Sequence, residues 1–295
     1  MTEAIRRSLL YVPASSQAMV QKAGTRGADV IILDLEDGVA PTHKDRARDM
    51  VPAFLRDLDF GGAEVLVRAN PPSSAWGRKD LEMLAEAQPV GVVFPKVEEA
   101  ETVVEIDRFL GSSTALFLMI ETVDGVLGAE KIVRSSPRVA GLLFGAADYR
   151  ESIRAGRHPD ELEVLHARSR ILLAARSAGV HAFDSPWFEY RDLEGLERSA
   201  RRVRQLGFDG KTAIHPAQVP VINAVFSPTG EEIERARRIL DAMAEAIDRG
   251  YYVATVDGEM VEALHLKTAQ RTLHHAFRLG LIDSASPTLG PPTLT

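Results

Sequence analysis

The chain of 295 residues is long enough for one large barrel or two small domains, and its 45% content of hydrophobic residues is typical of a protein with a full core. Its 35 Lys and Arg against 42 Asp and Glu give a net charge of −7, which argues against nucleic acid and anionic membranes as partners. The absence of cysteine excludes disulfides, thiolate metal sites and a cysteine nucleophile, and with neither a signal peptide at Met1–Leu10 nor a membrane-spanning run we expect a cytoplasmic protein.

Short apolar segments rich in β-branched residues recur along the first three quarters of the chain. Most are continuously apolar rather than alternating, as in strands buried on both faces of a parallel sheet. The predicted strands are Ser8–Pro13, Val30–Asp37, Glu64–Asn70, Gly91–Val97, Ala115–Thr122, Val139–Asp148, His181–Phe188 and Lys211–Pro216. Stretches of helical period separate them, among them Leu162–Ala178 and Leu193–Leu206. Such strand–helix units predict an α/β fold, a TIM (β/α)₈ barrel.

An open doubly wound sheet is the competing fold. It usually has a glycine-rich phosphate-binding turn after its first strand, whereas here the first strand runs into Pro13-Ala14-Ser15-Ser16. After Pro216 the pattern changes to two further helices, predicted at Gly230–Arg249 and Glu259–Leu279 and joined by Gly250–Gly258. The predicted domains are a barrel over residues 1–228, a C-terminal helical extension or lid over 229–283 and a flexible tail over 284–295.

The carboxyl ends of the strands carry the active site in a TIM barrel, and here those ends are rich in charged residues. They read Asp34-Leu35-Glu36-Asp37, Arg68-Ala69-Asn70, Pro95-Lys96, Glu121-Thr122 and Asp148 on strands two to six. Burying so many carboxylates together is costly without a compensating cation. Mg²⁺ often takes only one or two carboxylate ligands, and Glu121 and Asp148 on adjacent strands are placed to supply them. From position alone, a structural ring of salt bridges with Arg68 and Lys96 stays an equal alternative.

The same segments resemble the citrate lyase beta subunit-like proteins of the HpcH/HpaI aldolase superfamily, a group that includes malyl-CoA and citramalyl-CoA lyases. The matching stretches are "RSLLYVPASSQAMVQKA", "GADVIILDLEDGVAP", "VLVRAN", "GVVFPKVE", "LMIETVDGV", "GLLFGAADY", "LGFDGKTAIHPAQV" and "DGEMVEALHLKTAQR". They occur in this order over nearly the whole chain. Single pieces such as "FPK" are unspecific, but the set is highly specific.

The resemblance implies a trimeric or hexameric barrel enzyme that acts on CoA thioesters with Mg²⁺. It implies that Glu121 and Asp148 are the metal ligands and that Arg68 contacts the carbonyl or carboxylate of the substrate. It also implies that a C-terminal segment closes over the site of a neighbouring subunit and brings a catalytic acid, which here is Glu262. The residues predicted to line the substrate site are Arg68, Glu121, Lys96, Glu36 and Asp37.

Two positions depart from the family pattern. Ala14 stands in the loop after the first strand, where the family often has glycine, and this change affects how CoA is held. The motif "DGxMID" reads "DGEMVE", so Glu262 replaces the usual aspartate acid/base. Glutamate keeps the carboxylate but is one methylene longer, and a misplacement of about 1 Å can cost on the order of 10²-fold in rate.

The predicted activity is a Mg²⁺-dependent cleavage of a 3-hydroxyacyl-CoA of the malyl, citramalyl or citryl type into an acyl-CoA and a 2-oxo acid. In this reaction Arg68 stabilises negative charge on oxygen and Glu262 exchanges the proton of the enolate carbon. Three alternatives remain open: a thioesterase acting on malyl-CoA-type substrates, an aldolase acting on free 2-oxo acids, and a non-catalytic binding subunit.

Overall fold

The computed structural model describes residues 4–111 and 113–283. The described chain divides into two compact units, one formed by Arg6–Phe226 and the other by residues 4–5 together with residues 227–283. The predicted domain limits at residues 228 and 229 stay a prediction. The tail predicted at 284–295 lies outside the described residues.

The first unit is a closed barrel of eight parallel strands in sequence order, which confirms the predicted TIM barrel. The strands are β1 (Ser8–Pro13), β2 (Val30–Asp34), β3 (Glu64–Arg68), β4 (Gly91–Phe94), β5 (Ala115–Ile120), β6 (Val139–Phe144), β7 (His181–Asp184) and β8 (Gly210–Ala213). The barrel closes where β1 pairs in parallel with β8, with Ser8 opposite Lys211 and Leu10 opposite Ala213.

Helices follow the strands around the barrel. They are α1 (Gln17–Ala23), α2 (Lys44–Asp57), α3 (Gly77–Ala87), α4 (Ala100–Leu110), α5 (Val123–Val133), α6 (Ala146–Ser152), α7 (Leu165–Ala178), α8 (Leu193–Leu206) and α9 (Val219–Phe226). Two of them begin at capping side chains, Thr122 before α5 and Asp192 before α8, each accepting from a backbone N–H three residues on. Across residues 4–111 and 113–283, every helix is too short or too polar to cross a membrane.

Both faces of the strands are apolar because the barrel has two hydrophobic layers. Side chains such as Ile32, Leu66 and Phe117 fill the inside of the barrel. Their neighbours, such as Ile31, pack outward against the helices. A Cβ on Gly91 would lie 2.9 Å from the Phe117 ring, so the glycine makes room for this large interior side chain. The double burial explains the continuously apolar strand sequences.

All the barrel strands except β1 end earlier than the sequence predicted. β2 ends at Asp34 rather than Asp37, and β6 ends at Phe144, which leaves Asp148 in the first turn of α6. The physical reason is that the polar residues after each strand form loops with their own hydrogen bonds, as where the backbone N–H of Glu36 donates to Asp34. The charged residues therefore lie at the last residues of the strands, on the βα-loops and in the first turn of α6, all around the barrel mouth.

The second unit contains a hairpin that the sequence analysis missed. Its helices α10 (Gly230–Asp248) and α11 (Ala263–Arg278) flank the antiparallel strands β9 (Val253–Val256) and β10 (Glu259–Glu262). The helix predicted from Glu259 was therefore wrong in its first turn, because those residues pair as a strand. Asp257 and Gly258 form the two-residue loop with φ of 52° and 81°. Asp-Gly is a strong signal for such a hairpin turn.

Candidate active site

A cavity of about 420 Å³ opens at the carboxyl ends of the barrel strands. Its wall includes Tyr11 of β1, Asp34 of β2, Arg68 of β3, Met119 of β5 and Phe144 of β6, together with Asp37, Glu121, Gly145, Asp148, Phe188 and Ile214. The mouth of the barrel thus combines one guanidinium and several carboxylates with an apolar wall. This combination is typical of a small-molecule site.

Arg68 is the anchored cation of the cavity. Its Nε and Nη2 donate to the two carboxylate oxygens of Asp34, each over 2.7 Å. The ring of Tyr11 lies beneath the guanidinium, with Cζ 4.6 Å from the ring centroid. The third nitrogen, Nη1, lies 2.7 Å from Oε2 of Glu36 and 3.9 Å from Oδ2 of Asp37. Because two nitrogens are fixed by one carboxylate, the guanidinium has a single orientation.

Asp34 is held as firmly as its partner. The backbone N–H groups of Glu36 and Gly38 donate to its Oδ1 and Oδ2, each over 2.9 Å. A Cβ on Gly38 would approach Oδ2 of Asp34 to 2.5 Å, so this close loop requires glycine. Asp34 is therefore a buried carboxylate bonded both to the backbone of its own loop and to Arg68.

Glu36 is a buried carboxyl with an incompletely satisfied oxygen. Although Oε2 is within ion-pair distance of Nη1 of Arg68, its orientation does not make a hydrogen bond, and no other partner bonds it within the described residues. Burial raises the pKa of Glu36 to about 8, against the lowering effect of Arg68 and with a further rise from Asp37. The site therefore favours the neutral form of this carboxyl near neutral pH.

Glu121, directly after β5, and Asp148, in the first turn of α6 after β6, line the same cavity. Oε1 of Glu121 accepts a hydrogen bond of 2.8 Å from the backbone N–H of Lys96. A Cβ on Gly145 would lie 2.2 Å from Oε2 of Glu121, so glycine leaves the space that this carboxylate occupies. Burial, and next the charge of Asp148, raises the pKa of Glu121 to about 7. The charge of Asp148 is thus close enough to disfavour the ionised form of Glu121.

This donor set fits a hard divalent cation. It offers carboxylate oxygens, whose mutual repulsion a cation would relieve, and it opens to a cavity that has room for water and substrate oxygens. Groups of three or more His, Cys, Asp or Glu that could hold a metal are not found over residues 4–111 and 113–283. The fit is therefore to an ion that needs few protein ligands, such as Mg²⁺.

The alternative ring of salt bridges forms only in part. Lys96 has its Nζ 3.7 Å from Oδ1 of Asp148, with both side chains partly exposed. Arg68 is instead paired with Asp34 and Glu36. Of the remaining predicted site residues, Asp37 lines the cavity with a side chain that is 68% exposed.

Several residues that support the site carried no signal in the sequence. Lys44, on α2, donates through Nζ to the backbone oxygens of Leu35 and Glu36, each over 2.8 Å, and to Oδ1 of Asn70 over 2.7 Å. Oδ2 of Asp80 accepts from both the backbone and the side chain of Asn70. These buried bonds fix the loops after β2 and β3. Side chains on helices distant in sequence make them, so no local motif indicates them.

Two polar residues near the mouth have structural roles. Asp184, at the end of β7, is fully buried and paired with Arg168 and Lys211. His215 accepts from the backbone N–H of Ala217 over 3.2 Å and packs against Tyr190, so it caps the turn after β8.

Glu262 belongs to the C-terminal unit. It is the last residue of β10 and the N-cap of α11, and its side chain is exposed. Its backbone N–H donates to Nδ1 of His265 over 3.1 Å. The carboxylate therefore lies exposed at the junction between the hairpin and the helix.

The chain is similar to known proteins over nearly its whole length. The (3S)-malyl-CoA thioesterase of Cereibacter sphaeroides is 41% identical over 270 residues, covering 92% of this chain and 94% of the relative. The citrate lyase subunit beta of Leuconostoc mesenteroides subsp. cremoris is 36% identical over 292 residues, covering 96% and 97%. A crystal structure of CitE from Mycobacterium tuberculosis in complex with magnesium, acetoacetate and coenzyme A matches with a TM-score of 0.81 at 32% identity, covering 93% of this chain and 99% of that one.

Two family descriptions together span most of the chain. Residues 162–281 match the C-C bond lyases of the TIM-barrel fold. Residues 7–216 match the HpcH/HpaI aldolase/citrate lyase family. With close relatives matched over nearly their full lengths, the chain belongs to the HpcH/HpaI aldolase/citrate lyase family.

Proposed function

We propose that this protein is a Mg²⁺-dependent lyase that cleaves a 3-hydroxyacyl-CoA of the malyl, citramalyl or citryl type into an acyl-CoA and a 2-oxo acid. The observation that carries the proposal is the placement of the anchored guanidinium of Arg68 and the carboxylates of Glu121 and Asp148 on one cavity at the barrel mouth. That arrangement suits a substrate that combines a carboxylate, a hydroxyl and a polarised carbonyl.

Glu121 and Asp148 would hold the Mg²⁺ ion. When bound, the ion would act as a Lewis acid on substrate oxygens and orient them. Support comes from the chemistry of the two carboxylates and from the magnesium in the related CitE structure. The ammonium group of Lys96, 3.7 Å from Asp148, would add a second positive charge for the substrate oxygens.

Several residues of the chain would then act in the cleavage of the carbon–carbon bond. When the hydroxyl loses its proton, the bond between C2 and C3 breaks. C3 becomes the carbonyl carbon of the 2-oxo acid, and the electron pair leaves with C2 as the enolate of the acyl-CoA. Arg68 would stabilise the negative oxygen, because its donors are oriented before the reaction begins. Glu262 would deliver a proton to C2, and Glu36 and Asp37 would form the wall beside Arg68.

Hydrolysis of the thioester is the second candidate, because the relative at 41% identity is named a (3S)-malyl-CoA thioesterase. A thioesterase needs the same recognition of the substrate but admits water to the thioester carbonyl. The coenzyme A in the related CitE structure supports a CoA thioester in either case. The trimeric or hexameric assembly and the cytoplasmic location stay predictions.

One assay separates the two reactions. Malyl-, citramalyl- and citryl-CoA are each incubated with the protein and Mg²⁺, with a chelator in the control, and the products are identified by mass. An acyl-CoA with an equal amount of 2-oxo acid supports the lyase. Free CoA with the intact hydroxy acid supports the thioesterase instead, and a lack of any Mg²⁺-dependent product from all three contradicts both.

A further inference from the structure

We propose that Lys96 positions the cation site through both its backbone and its side chain. Its backbone N–H fixes Glu121, and its ammonium group occupies the place of the cation beside Asp148 until the cation binds. The inference rests on the proposed assignment of Glu121 and Asp148 as the ligands. Its observation is that one residue contacts both carboxylates, Oε1 of Glu121 at 2.8 Å and Oδ1 of Asp148 at 3.7 Å.

The backbone of Lys96 is in an unusual conformation. Its φ is 52°, in the left-handed region that residues with side chains seldom adopt. In this conformation the N–H points to Oε1 of Glu121, while Gly145 leaves room for Oε2. Oε1 of Glu121 is thus held by a backbone hydrogen bond, and Oε2 occupies the space that Gly145 leaves open. A strained residue that persists beside a cavity suggests a function for the strain.

The ammonium end is held loosely. The side chain of Lys96 is 44% exposed and that of Asp148 is 34% exposed, and ion pairs in such surroundings are weak. The other nearby cation, Arg68, is committed to Asp34 and Glu36. The ammonium group of Lys96 therefore offsets the charge of Asp148 and, together with Arg68, part of the charge of Glu121, and a divalent ion can displace this loosely held group.

This arrangement predicts competition between the ammonium group and the ion. Without the ammonium group, the carboxylates present a more negative potential, so Mg²⁺ binds more tightly. The metal-free protein becomes less stable for the same reason. A lysine that served only the substrate would affect neither quantity, and a lysine that helped to hold the ion would affect the Mg²⁺ affinity in the opposite direction.

The test is the stability of the full chain against unfolding, titrated with MgCl₂ at constant ionic strength, which yields both the metal-free stability and the Kd for Mg²⁺. In Lys96→Met, we expect the Kd to fall by about 3- to 10-fold, as expected from the loss of one positive charge a few ångströms from the ion. The matched control is Lys79→Met, since Lys79 is 64% exposed and 3.9 Å from Asp45, and its Kd should equal that of the wild type.

Lys96→Gly separates the backbone from the ammonium group. It also removes the positive charge, but it adopts the left-handed conformation without strain. We expect a Kd as low as that of Lys96→Met and a higher metal-free stability. A glycine variant less stable than the methionine variant would contradict the role assigned to the backbone.

The outcomes for the wild type distinguish this inference from the proposed function. If Mg²⁺ does not stabilise the wild type, or if it still stabilises Glu121→Gln, the proposed cation site and this inference both fail. If Mg²⁺ stabilises the wild type and not Glu121→Gln, the site stands. An unchanged or higher Kd in Lys96→Met then overturns only the inference about Lys96.

Discussion

Arg68 and Asp34 form a bidentate ion pair in which Nε and Nη2 of Arg68 each lie 2.7 Å from a carboxylate oxygen of Asp34. The same two oxygens accept the backbone N–H groups of Glu36 and Gly38. The guanidinium is therefore fixed to the backbone of the loop after β2 through one carboxylate. A group held this way keeps its remaining donors oriented toward a ligand without further loss of entropy.

Arg68→Lys should reduce kcat although the charge is kept. Lysine cannot reproduce the fork to Asp34 or the planar contact over Tyr11. Losing an oriented donor to a developing oxyanion costs about 10²- to 10³-fold in rate. Steady-state kinetics measures the effect, with whichever of malyl-, citramalyl- and citryl-CoA the product assay shows to be cleaved. Arg56→Lys, at an exposed pair with Asp57, is the matched control, and a kcat of wild-type size in Arg68→Lys would remove Arg68 from the mechanism.

Glu121→Gln should fold but no longer respond to Mg²⁺. Burial raises the pKa of Glu121 to about 7, which means that the folded protein disfavours its charged form. Glutamine is uncharged and avoids this cost. At about pH 8 and without metal, we therefore expect the variant to be at least as stable as the wild type. The control is Glu130→Gln, at an exposed position, which should leave the Mg²⁺ response unchanged.

A crystal structure tests the ligands directly. In metal-soaked crystals of the wild type, oxygens of Glu121 and Asp148 should lie about 2.0–2.1 Å from the ion.

Gly145→Ala should damage the cation site through a single methyl group. The new Cβ would lie 2.2 Å from Oε2 and 2.5 Å from Cβ of Glu121, so Glu121 must move. Forced repacking of this kind costs about 1–3 kcal/mol of stability. We expect a weaker Mg²⁺ response and lower activity. Gly156→Ala provides the control, because a Cβ there meets nothing within 4 Å, and equal effects of the two substitutions would contradict this explanation.

Glu36→Gln should change how stability depends on pH. The folded-state pKa of about 8 exceeds the ordinary value of 4.5, so the folded state holds a proton that the unfolded state has lost between these values. The resulting stability is complete below about pH 4.5 and is lost as the pH rises through about 8. The amide cannot ionise, so the variant should gain stability relative to the wild type between about pH 4.5 and about pH 8, and the difference should be constant at higher pH. Parallel pH profiles for the two proteins would show that Glu36 is not protonated as described.

The sequence predicted the elements that depend on local pattern. The limits of β1 and of α8 agree with the structure, because continuous apolar runs and a helix-ending glycine mark them. The hairpin β9–β10 was missed even though Asp257-Gly258 is a recognisable turn. The residues of β10 were assigned to a helix because a run of four residues is too short to show the alternation, with a period of two, that indicates a strand.

The site was predictable in its residue types more than in its contacts. Glu121, Asp148 and Arg68 could be placed at one barrel mouth, since parallel strand ends converge there. The pairing of Arg68 with Asp34 rather than with Glu121 could not be predicted, because it depends on the turn after β2. The contact between the backbone of Lys96 and Glu121 depends on one positive φ, which no sequence pattern near Pro95 indicates.

Glu262→Gln should suppress the carbon–carbon bond step while folding and the Mg²⁺ response stay intact. Glu262 is exposed in the C-terminal unit, where its carboxylate is held at the junction of β10 and α11. Removing a general acid or base typically costs about 10²- to 10⁴-fold in rate. Glu245→Gln is the matched control, since Glu245 is exposed on α10 and lies 3.6 Å from Arg249. Unchanged turnover in Glu262→Gln would reject the acid/base role.

Mixing two inactive variants tests whether Glu262 serves a neighbouring subunit. In Glu262→Gln the chain keeps Arg68, and in Arg68→Ala it keeps Glu262. If each site takes Arg68 from one chain and Glu262 from the next around a closed ring, then after subunit exchange of equal amounts about a quarter of the sites contain both. If each site uses a single chain, mixing restores none. Exchange is verified with differently tagged chains, and verified exchange without recovered activity excludes a site shared between subunits.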